Sequence, residues 1–160
     1  FIFFMCRCGS SSGSHRSLIP TMLAMSIRPA ESAMIGYVVL GTNDLPRAAA
    51  FYDALFSEIG ATRQMYFGER GYAWGASMES VMLCIMTPFD GGPATVGNGT
   101  MTAIAVGSRE AVDRLHAKAL SLGGTDEGAP GERAEGGEGF YAAYFRDPEG
   151  HKFDVFTYSG

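Results

Sequence analysis

The 160-residue sequence has few histidines, few cysteines and no excess of positive charge. Its three histidines form no histidine pair and no histidine–acid motif, which argues against a zinc-dependent hydrolase. Its three cysteines are too few and too scattered for a disulfide framework, so we predict a reducing, cytoplasmic location. The formal net charge of −5, without a basic stripe, argues against nucleic acid and anionic membranes as partners.

Long apolar runs and phosphate-binding loops are also missing. No apolar stretch approaches the roughly 20 residues that a membrane-spanning helix needs. The glycine-rich segments lack the Lys-Ser/Thr pair and the helix start that hold a phosphate. The hydrophobic content of 46% is ordinary for a globular protein. This length predicts one domain or two closely packed half-domains.

The first 33 residues differ in composition from the remainder of the chain. An apolar run at residues 1–4 is followed by Cys-Arg-Cys and then by a glycine- and serine-rich run. The apolar run is too short for an export signal, and Arg7 follows it instead of preceding it. We therefore predict that residues 1–33 are a disordered or non-native leader and that residues 34–160 form the domain.

From Met34 onward the sequence contains a weak internal repeat, with modules at about 34–87 and 100–158. Each module reads as an apolar strand, a helix cap, an amphipathic helix, a glycine stop and further strands. Asp44 and Ser108 are the predicted N-caps, and Gly60 and Gly123 are the predicted helix ends. Two βαβββ modules in this order predict an α+β fold, with a curved mixed sheet around a cleft.

Hydrophobic periodicity gives the bounds of the predicted elements. The predicted strands are 37–40, 63–67, 71–76, 80–87, 101–106, 140–146 and 152–158. The second helix is predicted to run from Arg109 to about Leu122, and residues 123–139 to form a strand plus a mobile loop over a site. His116 is predicted at the surface or boundary of this helix, and His151 is predicted to be exposed after a glycine turn.

Two segments carry a family resemblance, Val39-Leu40-Gly41-Thr42-Asn43-Asp44-Leu45 with Ala50-Phe51-Tyr52, and Tyr144-Phe145-Arg146-Asp147-Pro148-Glu149-Gly150-His151-Lys152-Phe153-Asp154. They resemble the vicinal oxygen chelate superfamily, which contains glyoxalase I, extradiol dioxygenases and the fosfomycin and bleomycin resistance proteins. Within it, the chain looks most similar to a bacterial glyoxalase-like group. The resemblance implies a homodimer and a small-molecule ligand.

The resemblance also implies a divalent metal held by cleft-lining His, Glu or Gln residues. The matching positions are occupied by Tyr37, Met101 and Asp154, and a weaker match places the remaining one at Cys84. Only Asp154 is a good hard ligand, whereas thioether sulfur suits soft metals. Asp154 is thus the one metal candidate, and a divalent metal stays an open alternative, not a predicted cofactor.

Three functions therefore stay open. The first is metal-free binding of a small organic molecule in the cleft between the modules. The second is a metal-dependent lyase similar to lactoylglutathione lyase, or a dioxygenase, with Asp154 in a non-standard ligand set. The third is a metal-free enzyme in which Asp154 is the general base and Tyr144 the acid. The candidate ligand-binding residues are Tyr37, Trp74, Met101, Arg133 and Tyr144.

Overall fold

The computed structural model describes residues 34–158, so the predicted leader at 1–33 lies outside the described residues. The first module consists of β1 (Tyr37–Gly41), α1 (Leu45–Phe56), β2 (Thr62–Tyr66), β3 (Gly71–Gly75) and β4 (Met82–Met86). The second consists of β5 (Thr102–Ala105), α2 (Arg109–Ser121), β6 (Thr125–Glu132), β7 (Phe140–Arg146) and β8 (Lys152–Tyr158). The predicted α+β fold of two βαβββ modules is confirmed.

Each module builds its own four-stranded mixed sheet, and the two sheets have the same topology. The strand orders are β1-β4-β3-β2 and β5-β8-β7-β6. In each sheet the first strand of the module pairs in parallel with the last, and the other pairs are antiparallel. The sheets are not closed, so each keeps one face that the helices do not cover.

The predicted caps position the two helices. The side chain of Asp44 accepts a hydrogen bond from the backbone N–H of Arg47 at 3.1 Å, and Ser108 accepts one from Ala111 at 3.2 Å. Both bonds satisfy an N–H group that has no partner inside its helix. Gly60 has a φ of 72° after the first helix, a left-handed conformation that glycine adopts without steric cost.

One hydrophobic core joins the two modules. Leu55 and Tyr52 from α1 and Leu115 from α2 are buried in the same cluster. The ring of Tyr52 lies 6.1 Å from that of Phe153 on β8. Because side chains alternate along a strand, every second residue of each sheet enters this core and the residues between them lie on the open face. No helix of the described residues is long and apolar enough to cross a membrane.

The Asp-Pro-Glu-Gly turn fastens the second module to the first. Tyr52 donates its hydroxyl hydrogen to Asp147 Oδ2 at 2.5 Å, and Thr42 donates to Glu149 Oε1 at 2.7 Å. His151 places Nδ1 3.0 Å from Asp147 Oδ2. Burial raises the pKa of Asp147, but hydrogen bonds from His151 and Tyr52 outweigh it and hold that pKa below its usual value. The prediction of an exposed His151 is wrong, because its ring folds back onto Asp147 and is only 4% exposed.

His116 is also buried, contrary to the prediction of a surface or boundary position. Its ring lies against Phe145, with Nε2 3.1 Å from Asp126 Oδ1. The acid belongs to β6 and not to the helix itself, so helical spacing gave no sign of this pair. The two errors differ in origin, because the partner of His151 is Asp147, four residues earlier in the same turn.

Candidate functional site

A polar cluster lies on the open face of the second sheet. Tyr144 on β7 and Asp154 on β8 are directly opposite each other across the antiparallel pair. Phe153 and Val155 on either side of Asp154 enter the core, so strand alternation turns Asp154 towards the open face. On its other side Asp154 is the register partner of Ala103 on β5. The cluster therefore lies in the middle of the sheet and not at its rim.

Asp154 has a buried carboxylate oxygen without a partner. The residue is only 5% exposed, and its Oδ1 is the one buried side-chain nitrogen or oxygen among the described residues that has no hydrogen bond. A buried polar group left unpaired costs about 1–3 kcal/mol. Burial raises the pKa of Asp154, and the positive charges of Arg133 and Lys152 oppose that rise. Asp154 Oδ1 therefore keeps an unused capacity to accept a hydrogen bond.

Two cations flank the neighbouring tyrosine. The guanidinium carbon of Arg133 lies 5.7 Å from the centre of the Tyr144 ring, and the ammonium nitrogen of Lys152 lies 5.5 Å from it. Arg133 also donates to the carbonyl of Ala129 at 2.6 Å, which fixes its position. At Gly128, a Cβ would lie 3.0 Å from Cδ2 of Tyr144. The small residue lets the ring lie against β6.

A cavity of about 910 Å³ lies between the two modules. Its lining is mostly apolar, and both Trp74 and Met101 belong to it. The cavity also reaches Ala103, the register partner of Asp154. Trp74 is only 1% exposed, and its indole N–H donates to Asp53 Oδ1 at 2.9 Å. Trp74 thus packs in the core and presents only a small part of its surface to the cavity.

A second groove of about 510 Å³ follows the open face of the first sheet. Tyr37, which is 63% exposed, stands at its rim. Its floor and walls carry sulfur, which the sequence interpretation did not single out as a group. The sulfur-bearing lining residues are Met65, Met78, Met82, Cys84 and Met86. The alternation of Met82, Cys84 and Met86 along one strand is the sequence signal that predicts part of this set.

The structure thus distributes the predicted site residues over three places. Arg133, Tyr144 and Asp154 lie together on the second sheet. Trp74 and Met101 line the cavity between the modules, and Tyr37 lines the groove on the first sheet. Ala103 links the polar cluster to the cavity, because it is the register partner of Asp154 and also lines the cavity. The functional roles of these residues remain predictions.

The residues at the positions implied for a divalent metal do not fit a hard ion. Within residues 34–158, no three His, Cys, Asp or Glu side chains come close enough together to hold a metal ion. Asp154 and Tyr37 lie on different sheets, and Met101 offers a thioether, which is a poor ligand for Mg²⁺ or Zn²⁺. Chemistry that depends on such an ion therefore finds no support in this set of side chains.

Known structures share this architecture. A glyoxalase/bleomycin resistance protein from Albidiferax ferrireducens T118 is 35% identical, with a TM-score of 0.69 over 78% of this chain and 98% of that one. A glyoxalase/bleomycin resistance protein/dioxygenase family enzyme from Burkholderia phytofirmans PsJN is 22% identical, with a TM-score of 0.63 over 78% and 98%. Lactoylglutathione lyase from Agrobacterium tumefaciens is 22% identical, with a TM-score of 0.55 over 80% and 95%.

The last two similarities concern the fold alone. Among curated proteins, no sequence matches this chain. Residues 37–156 match the family model described as a glyoxalase-like domain, which spans both modules and the turn that fastens them. The chain therefore belongs to the glyoxalase-like domain family of the vicinal oxygen chelate superfamily.

Proposed function

We propose that this chain binds a small hydroxylated organic molecule without a metal, and that the hydroxyl group donates a hydrogen bond to Oδ1 of Asp154. The observation that carries the proposal is the buried carboxylate oxygen without a partner. A ligand that donates to it would relieve the cost of the unpaired acceptor. A molecule of the same shape without the hydroxyl would leave that cost in place.

The charges around Asp154 favour a particular ligand charge. Arg133 and Lys152 both act on the Asp154 carboxylate, and Lys152 is also paired with Glu127 at 3.4 Å, so the ionised cluster carries two positive and two negative charges. A cationic ligand would gain from Asp154 but would be repelled by Arg133 and Lys152. A neutral ligand, or one whose single negative charge lies beside Arg133, therefore suits the cluster better than a cation.

The cavity between the modules offers room for the apolar part of the ligand. Ala103 lines this cavity and is also the register partner of Asp154. Neighbouring strands lie about 4.8 Å apart, so one small molecule can contact Asp154 and extend over Ala103 into the cavity. The small side chain of Ala103 leaves this path open.

The third function of the sequence interpretation, a metal-free enzyme, gains one specific observation. Burial raises the pKa of Asp154, as a carboxylate acting as a base near neutral pH requires. Tyr144 is opposite Asp154 in the register and would be the matching acid. This second candidate would be supported if the protein converts a bound hydroxylated compound, and if Asp154→Asn abolishes and Tyr144→Phe slows that conversion. Binding of a compound without conversion would exclude the enzyme for that compound.

The proposal includes a homodimer and a cytoplasmic location. The open face of the first sheet carries exposed apolar side chains such as Tyr37 and Val39, which a second copy of the chain would cover. The cytoplasmic location rests on the small number of cysteines in the sequence. Sedimentation equilibrium tests the first point, with twice the chain mass expected and a monomer at all concentrations as the contrary result.

Thermal unfolding in the presence of paired compounds tests the proposed ligand. The pairs are mandelate with phenylacetate and phenyllactate with 3-phenylpropionate, which differ only in one hydroxyl group. A molecule that binds only the folded state raises the melting temperature. We expect a rise with a hydroxylated member in the presence of EDTA, a smaller rise with its partner, and no such difference within a pair in Asp154→Ala. Equal rises within each pair, or a rise that EDTA abolishes, would contradict the proposal.

A further inference from the structure

Strand β6, which leads to Arg133, is irregular beside the polar cluster of the second sheet. Its register with β7 shifts between Asp126 and Gly128 and again between Gly128 and Gly131, so the strand bulges at two points. Bulges change the direction of nearby side chains and are frequent beside active sites. Arg133 comes directly after this strand, which ends at Glu132.

Two glycines of β6 leave the space in which the guanidinium group of Arg133 lies. A Cβ at Gly131 would lie 3.0 Å from Nη1 of Arg133, and a Cβ at Gly128 would lie 3.5 Å from Nη2. Neither glycine has a positive φ, so the backbone conformation alone would accept a side chain at both positions. The missing side chains therefore make room for Arg133 on the open face.

The backbone holds the Arg133 guanidinium group without neutralising it. Nη2 donates to the carbonyl oxygen of Ala129 at 2.6 Å, and Nη1 donates to that of Glu132 at 3.4 Å. A guanidinium group has more N–H donors than these bonds use. Arg133 takes part in none of the ion pairs within residues 34–158. Its positive charge is therefore fixed in place without a carboxylate partner in this part of the chain.

Lys152, the second cation beside Tyr144, differs from Arg133 in this respect. Its ammonium nitrogen lies 3.4 Å from Oε2 of Glu127. The other oxygen of that carboxylate accepts a hydrogen bond from Arg146 at 2.7 Å. Lys152 thus already has an anionic partner in the protein, and Arg133 is the better placed of the two cations to bind an anionic group of a ligand.

From these contacts we propose that Arg133 determines specificity by binding a carboxylate, so that the ligand of Asp154 is a small hydroxy acid. The hydroxyl group donates to Oδ1 of Asp154, and the carboxylate accepts from Arg133. Asp154 is the register partner of Tyr144, and the guanidinium carbon of Arg133 lies 5.7 Å from the centre of the Tyr144 ring. One short carbon skeleton over this ring can therefore carry both groups. The assignment rests on the proposed function, because it names the class of molecule that binds Asp154.

The charges of the cluster favour a carboxylate over a phosphate. The planar guanidinium group offers parallel N–H donors that match the two oxygens of a carboxylate. A phosphate monoester carries about two negative charges at neutral pH, and the second would lie near the unpaired carboxylate oxygen of Asp154. A ligand with one negative charge, held beside Arg133, avoids this repulsion.

Isothermal titration calorimetry with matched acids and amides tests the role of Arg133. Mandelate is compared with mandelamide, which keeps the ring and the hydroxyl group but has no charge, and phenyllactate is compared with its amide. We expect an acid to bind the full chain about tenfold more tightly than its amide, because hydrogen bonds between charged groups are the stronger ones. In Arg133→Gln the acid and its amide should bind with about equal affinity.

Two further variants separate a specific role of Arg133 from a general effect of charge or folding. Gly131→Ala keeps Arg133 but introduces a Cβ 3.0 Å from Nη1, so it should also reduce the preference for the acid. Arg114→Gln is the matched control, because it removes the same charge from an exposed arginine on α2 and should keep the preference. Circular dichroism checks the folding of each variant; if Arg133→Gln unfolds, Gly131→Ala decides the matter. A preference that Arg133→Gln retains, or that Arg114→Gln loses equally, would overturn the assignment.

Phenylacetate, titrated in the same way, separates this inference from the proposed function. If mandelate binds more tightly than phenylacetate but no more tightly than mandelamide, the proposed function stands and only the role of Arg133 is overturned. If mandelate and phenylacetate bind equally well, the hydroxyl group is not recognised and both proposals fail. Absence of binding by all of these compounds would likewise contradict both.

Discussion

Asp154 and Asp147 are both buried carboxylates, but they differ in their hydrogen-bond partners. The substitution Asp→Asn should therefore change the free energy of unfolding in opposite directions at the two positions. Asp147 accepts hydrogen bonds from Tyr52 and from the backbone N–H of His151. Asp154 Oδ1 accepts none within residues 34–158. Asp→Asn keeps the side-chain shape at both places and removes the charge. It should therefore stabilise the protein at Asp154 and destabilise it at Asp147.

The expected magnitudes follow from the partners that each carboxylate has. Asp147→Asn replaces charge-assisted bonds and turns an acceptor into a donor beside Tyr52, which costs about 1–3 kcal/mol. Asp154→Asn exchanges a buried charge for a neutral amide, and we expect a gain of about 1 kcal/mol. For a chain of this size, 1 kcal/mol corresponds to roughly 2–4 °C in melting temperature.

Urea unfolding at neutral pH, followed by tryptophan fluorescence, measures both changes. Trp74 is the single tryptophan of the sequence and packs against Tyr52, so its emission reports loss of the shared core. A loss of more than about 1 kcal/mol in Asp154→Asn would refute the reasoning, because removing an unpaired buried charge should not be destabilising. Such a loss would mean that Oδ1 has a partner in the folded protein.

Three further predictions follow from the same contacts. Because burial raises the folded-state pKa of Asp154 above the usual 3.8, the contribution of Asp154 to stability should fall as pH rises through that window, and the deficit of the wild type relative to Asp154→Asn, measured by urea unfolding, should vanish at lower pH. Gly128→Ala should displace the Tyr144 ring and weaken binding of the hydroxylated compounds in the thermal assay, since its Cβ would lie 3.0 Å from that ring; unchanged binding would contradict this. Tyr52→Phe should cost about 1 kcal/mol in the urea assay through the lost bond to Asp147, and an unchanged midpoint would contradict it.

The sequence predicted the fold well because local patterns determine it. The bounds of β7 and β8 agree with the predicted strands 140–146 and 152–158. The fourth strand begins at Met82 instead of at residue 80, because Ser80 turns back to bond with Ser77. Alternation also indicated that Asp154 turns away from the face that carries Phe153 and Val155.

Contacts between distant segments limited what could be predicted about the site. Nothing near Asp154 in the sequence shows that Oδ1 is buried without a partner, since its surroundings include Arg133 from the segment after β6. His116 was assigned to the surface or boundary because its acid partner Asp126 lies on β6. His151 was expected to be exposed because the sequence does not show that the turn folds its ring back onto Asp147. Only part of the sulfur-bearing lining of the groove on the first sheet could be predicted, because Met65 and Met78 lie outside the strand that carries the alternating pattern.

Measuring the pKa of Asp154 by carboxyl-carbon NMR tests whether this carboxylate receives the ligand. The titration is made with and without the hydroxylated compound that raises the melting temperature most. We expect a pKa above 3.8 for Asp154 in the free protein and a lower one with the compound bound, because a donated hydrogen bond favours the ionised form. A pKa at or below its usual value in the free protein, or one that the compound leaves unchanged, would contradict the claim that Asp154 receives the ligand.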